Sequence, residues 1–116
     1  VDDKAATYLM QYIPTAKIAI ERSDNFAIGY TFYQLKEDNK AIQYLAKATG
    51  ETDAMAQNSF YVIADCYLHT QQFSLDSQSF LEASKYDVMP EVQEDASYNY
   101  AKLQYATSSS PFNSAI

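Results

Sequence analysis

Three side chains in one short run are of types that do chemistry. Asp65 and His69 stand four residues apart, the spacing that puts two metal ligands, or a carboxylate and an imidazole, on one face of a helix. Cys66 is adjacent but points about 100° away on such a helix. A zinc-type site needs three or four donors, and His69 and Cys66 are the only histidine and cysteine of the chain. The expectation is a hydrogen-bonded Asp65–His69 pair, with no metal and no cofactor. A nucleophilic Cys66 would need a base beside it. Its position calls for a small buried residue, so a structural thiol is expected. Glu91, Glu94 and Asp95 could gather a cation, but they follow Pro90 where acids stabilise a helix N-terminus. There is no glycine-rich phosphate loop, paired-carboxylate cleft or Ser/His/Asp set. The residues therefore read as those of a protein that is not an enzyme.

Charge narrows the partners. The 116 residues carry 15 acids against 8 bases, a formal charge of −7. After Ser59 the only lysines are Lys85 and Lys102, against Asp65, Asp76, Glu82, Asp87, Glu91, Glu94 and Asp95. Such a surface repels phosphate backbones and anionic membranes, which argues against nucleic acid. It tolerates a basic or neutral peptide. No stretch approaches the ~18 apolar residues of a membrane span, so direct membrane insertion is not expected.

The elements that would position these residues are helices. Glycine and proline number only 2 and 3, too few to punctuate an all-β domain. Lys4, Ala5, Tyr8 and Leu9 recur as Lys40, Ala41, Tyr44 and Leu45, an offset of 36. Ile28-Gly29 and Tyr33 recur as Ile63-Ala64 and Leu68, an offset of 35. An internal repeat of this length signals stacked helical pairs. The apolar spacing and polar breaks predict helices near 2–13, 22–36, 39–49, 53–70, 73–86, 91–108 and from 111 onward. Residues 14–21 are ambiguous, since Pro14 ends one helix or starts the next and Thr15 to Glu21 could extend the second helix backwards. Gly50 suits a helix C-terminal cap with positive φ, and Asp53 suits the following N-cap. Pro90 and the Ser110-Pro111 pair mark helix starts.

These residues resemble the tetratricopeptide repeat. The run Ile28-Gly29-Tyr30-Thr31-Phe32-Tyr33-Gln34-Leu35 through Ala41, Leu45 and Ala48 follows that motif without a gap. Phe60, Ile63, Ala64, Tyr67, Phe73, Phe80 and Ala83 keep its spacing. Asp76 falls where the family carries alanine. A further copy sits on Tyr100-Ala101, Phe112 and Ala115, and a first on Ala5, Leu9 and Tyr12. The resemblance implies an all-α fold, a right-handed α-solenoid of antiparallel helix pairs. It would form one domain over 1–116, of about three repeats and incomplete at both ends. The second helix of a first repeat would be 2–13, followed by repeats over 22–49 and 53–86 and a truncated one over 91–116. The chain then reads as a slice of a longer array. The resemblance also leans towards a bacterial multi-repeat protein of the periplasm or cell envelope.

In that family the first helix of each pair lines a concave peptide groove. Carried over by residue, the groove positions are Phe26, Tyr30, Tyr33 and Gln34, then Asn58, Tyr61, Asp65, Leu68 and His69, then Tyr98, Lys102 and Tyr105. Tyrosine supplies contact area and a polar tip at little entropic cost. A second reading has these rings packed between neighbouring helices. The Lys, Asn and Arg set that grips a peptide carboxylate elsewhere in the family is missing. The function expected is a protein-interaction scaffold with a protein or peptide partner. The alternative is an architectural spacer that self-associates through exposed terminal helix faces.

Overall fold

The computed structural model describes residues 21–108, and every regular element among them is helical. In chain order these are α1 (Arg22–Gln34), α2 (Asp38–Leu45), a 3-10 turn (Ala46–Ala48), α3 (Ala54–His69), α4 (Phe73–Ser84) and α5 (Pro90–Ser108). The expected helices at 2–13 and from 111 onward, and the ambiguous stretch before Glu21, lie outside the described residues.

The helices form where apolar spacing dictates. α1 buries Asn25, Ile28, Gly29 and Phe32, and α4 buries Asp76, Ser79, Phe80 and Ala83. Both sets follow the i, i+3, i+4, i+7 pattern of a single buried face. α3 buries a broader set that runs from Ala56 to Cys66, because it packs on α2 and α4 at once. Direction follows from the contacts. Arg22 reaches Ala48 while Phe32 stacks on Tyr44, so α1 and α2 are antiparallel. Gln57 reaches Ala83 while Tyr61 meets Phe80 edge-on, so α3 and α4 are antiparallel too. Arg22 pairs with Asp53 and Tyr33 with Asp65, so α1 and α3 run side by side in the same direction. Gln57 meets Met89 and Tyr61 meets Asp95, which sets α5 parallel to α3.

Close approach explains the small residues. A Cβ on Gly29 would stand 2.7 Å from the Leu45 side chain, well inside contact distance. Ala64, the corresponding residue of α3, is fully buried, as are Ala41, Leu45 and Ala48. One core joins Ile28, Phe32, Ala41, Leu45, Val62, Ile63 and Cys66, and a second joins Ala64, Phe80, Ala83 and Ala96.

The turns correct several expectations. No glycine has positive φ, so Gly50 is not a left-handed cap; α2 instead tightens into the 3-10 turn and ends before it. Positive φ falls on Lys36 (61°) and Gln71 (59°), in the polar breaks inside each pair. There Glu37 N–H donates to Phe32 C=O at 2.9 Å and Lys36 N–H to Tyr33 C=O at 3.0 Å. Gln72 and Gln71 repeat both bonds to Tyr67 and Leu68, at 2.9 and 3.1 Å. This is the paired 6→1 and 5→2 closure that turns a chain sharply after a helix. Glu21 is extended, so α1 starts at Arg22 and does not run back through Glu21. Asp53 caps α3 as expected, accepting from Ala56 N–H at 2.9 Å, and Pro90 opens α5.

One device recurs in the links between pairs. Arg22 donates to Ala48 C=O at 2.9 Å and grips both oxygens of Asp53 at 2.7 and 2.6 Å. That bond, with the Ala56 N–H, holds the Asp53 carboxyl down at about 2. Thirty-five positions on, Gln57 takes the equivalent place. It is fully buried, donates to Tyr86 C=O at 2.8 Å and accepts from Met89 N–H at 2.9 Å. Each side chain closes the link into the next helix by satisfying backbone groups there.

Candidate functional site

The candidate residues and their neighbours fall in three stripes of helical period along α1, α3 and α5: Phe26, Tyr30 and Tyr33; Asn58, Tyr61, Asp65 and Leu68; Glu91, Asp95, Tyr98, Lys102 and Tyr105. The structure joins the first two stripes closely. Phe26 stacks on Tyr30 at 6.1 Å, and Tyr30 lies 5.8 Å from Tyr33. Tyr33 is parallel to the His69 ring at 6.3 Å and donates its hydroxyl to Asp65 at 2.5 Å. Asp65 Oδ2 lies 3.4 Å from His69 Nε2, so their spacing brings the two together at ion-pair distance but without the expected hydrogen bond. The other ring nitrogen, Nδ1, is 3.1 Å from Asp38, the first residue of α2.

The second junction repeats the first in kind. Tyr61 donates its hydroxyl to Asp95, which also accepts from Asn99 Nδ2. Burial, then the hydrogen bond to Asp95, pushes the Tyr61 phenol up to about 12, and burial with the Asp65 bond raises Tyr33 as well. Both phenols therefore stay protonated at neutral pH and keep donating.

The remaining positions divide. Tyr30 and Leu68 are exposed, Tyr98 more so at 63%, and Tyr105 most at 72%. Lys102 Nζ lies over the Tyr98 ring at 5.3 Å. Gln34 is exposed at the end of α1. Asn58 is turned towards the link before α5, with its amide 3.7 Å from the Met89 sulfur. Tyr61 also packs edge-on against Phe80, so it belongs to the packing as much as to the surface.

Two residues were not foreseen, and a third, Asp76, was marked only as a departure from the repeat. Asp95 does more than stabilise a helix N-terminus, because Tyr61 claims it across helices. Asp38 completes the pair around His69. Asp76 is fully buried, and neither carboxyl oxygen has a hydrogen-bond partner among the described residues. Burial, then the charge of Asp65, raises its carboxyl to about 6. Only Asp76 left a sequence signal: a carboxylate where the repeat otherwise carries Ala41. Cys66 is fully buried and its thiol is pushed upward by that burial, the properties of an inert structural cysteine.

Among the described residues no cluster of three or more His, Cys, Asp or Glu side chains could hold a metal ion. Nor is any helix there long and apolar enough to cross a membrane. Compared with known proteins, the chain matches no family model, no curated protein and no solved structure.

Proposed function

We propose that this chain is a non-enzymatic interaction module of tetratricopeptide type, a right-handed α-solenoid whose first-helix face binds an extended peptide or protein segment. The observation that carries the reading is the parallel row of α1, α3 and α5, cross-linked by Tyr33–Asp65 and Tyr61–Asp95. A row so cross-linked presents its remaining rings at fixed spacing, which lowers the entropic cost of binding. The equivalence of Arg22 with Gln57, and of the two Lys36 and Gln71 turns, supports a repeating unit.

The test is selection from a random peptide display library against the folded chain, followed by fluorescence anisotropy. Binding should be lost in the Tyr30→Ala plus Tyr98→Ala protein, whose rings are exposed and whose removal spares the core. Unchanged binding there sinks this reading.

A second reading, self-association, has its own observation. A recess of about 370 Å3 between α4 and α5 is lined by Phe73, Ser77, Leu81, Tyr100 and Leu103, with Phe73 46% exposed. Mass that rises with concentration in light scattering, and falls on Phe73→Ser, would favour it.

A further inference from the structure

The geometry points to a positively charged partner: the α1–α3–α5 face takes an extended segment whose lysine or arginine side chains reach Asp65 and Asp95. This rests on the interaction-module reading and names the chemistry of what is bound.

Each of the two carboxylates is held from one side by a neutral phenol, Tyr33 on Asp65 and Tyr61 on Asp95. A phenol fills one acceptor position and orients the group, but it brings no positive charge. Among the described residues no lysine or arginine is paired with either carboxylate. Three of the cations pair elsewhere, Arg22 on Asp53, Lys40 near Glu37 and Lys85 on Glu82, while Lys47 and Lys102 lie over the Tyr44 and Tyr98 rings. His69 also stands at Asp65 and is shared with Asp38, while the other ionisable groups that feel the Asp65 charge, Tyr61, Cys66 and Asp76, bring no positive charge. Two oriented, unneutralised carboxylates thus stand on adjacent parallel helices.

Their spacing suits an extended chain. Packed helices lie roughly 8–10 Å apart, and side chains on one face of an extended segment recur about every 6.6 Å. Basic residues two positions apart share one face, and their long side chains would meet successive carboxylates. The rings beside them add a cation site, as the face already demonstrates on itself: Lys102 places its ammonium over Tyr98 at 5.3 Å. Exposed Glu91 and Glu94 at the start of α5, and the charge of −7, steer the same kind of partner.

Other chemistries fare worse. An acidic segment meets repulsion from both carboxylates. A neutral one would cover them without pairing, at the desolvation cost of two uncompensated charges.

The experiment is the same library selection on the 116-residue chain, scored for composition, with Asp65→Asn and Asp95→Asn combined. Asparagine keeps one carbonyl oxygen to accept from each tyrosine, turns the other oxygen into an amide donor and removes the charge. Enrichment in lysine and arginine is expected, with affinity roughly tenfold or more weaker in the double variant and a matching loss as salt rises. Basic peptides that bind the double variant equally well would overturn the inference. So would neutral or acidic peptides whose binding depends on Tyr30 and Tyr98, although the interaction module would then stand. Failure to select any peptide would remove both.

Discussion

The Tyr33 hydroxyl donates to Asp65 at 2.5 Å and so ties α1 to α3, and Tyr61 makes the same kind of bond from α3 to Asp95 of α5. Each joins one first helix to the next by a polar bond, beside the core clusters that join Ile28 and Phe32 to Val62 and Ile63 and Ala64 to Ala96. A hydrogen bond to a charged acceptor contributes about 1.5–3 kcal/mol, so Tyr33→Phe should destabilise by about 1–2 kcal/mol, read from chemical denaturation. There is a pH signature. The folded-state phenols sit above the ordinary value near 10, so their stabilisation is complete below it. It is lost as pH rises through about 12 for Tyr61. The Tyr33→Phe plus Tyr61→Phe protein should show a shallower alkaline loss of stability than the parent.

Asp76 works against the fold at neutral pH. Its carboxyl is raised from 3.8 to about 6, so the folded chain prefers it protonated. The sign is that stability is greatest below the ordinary value and falls as pH rises through about 6. Asp76→Ala restores the residue type found at Ala41, which is fully buried. It should stabilise by about 2–3 kcal/mol above neutrality, with a gain that shrinks towards pH ~4. Thermal melts of both proteins across that range would show it; a gain independent of pH would mean the carboxyl is not ionising in place.

Lys36 and Gln71 occupy the left-handed region with full side chains. Glycine enters that region without the Cβ clash, so Lys36→Gly and Gln71→Gly should each stabilise by about 0.5–1 kcal/mol. Denaturation midpoints should rise for both, because the two turns share one hydrogen-bond pattern.

Gln57 satisfies the link between α4 and α5 from inside the protein, bonding Ala83, Tyr86 and Met89. Gln57→Ala strips buried backbone groups of partners and should destabilise by about 2–3 kcal/mol. Hydrogen exchange should speed up first at the Met89 amide, which donates to the Gln57 side chain. Equal exchange there would show that the link does not depend on Gln57.

Much of the fold was open to reading along the chain because it is local. The buried sets of α1 and α4 are a periodicity, the Asp53 cap lies within one turn of Ala56, and Pro90 opens α5 through its own ring. The Asp65–His69 contact is likewise a property of one helix. The Gly50 expectation failed because glycine permits a positive φ but does not demand it; the hydrogen-bonded closures required it of Lys36 and Gln71 instead. What joins the helices was not legible. Tyr33 and Asp65, Tyr61 and Asp95, Gln57 and Met89 are more than thirty residues apart, and no local pattern sets which side chains meet. Sequence alone determined the helices, their repeat and their acidic charge, since each depends on residues within a few turns or on a sum. Only packing decided which carboxylates are held by tyrosines at the surface and that Asp76 is buried with no hydrogen-bond partner among the described residues. Both outcomes depend on where neighbouring helices come to rest.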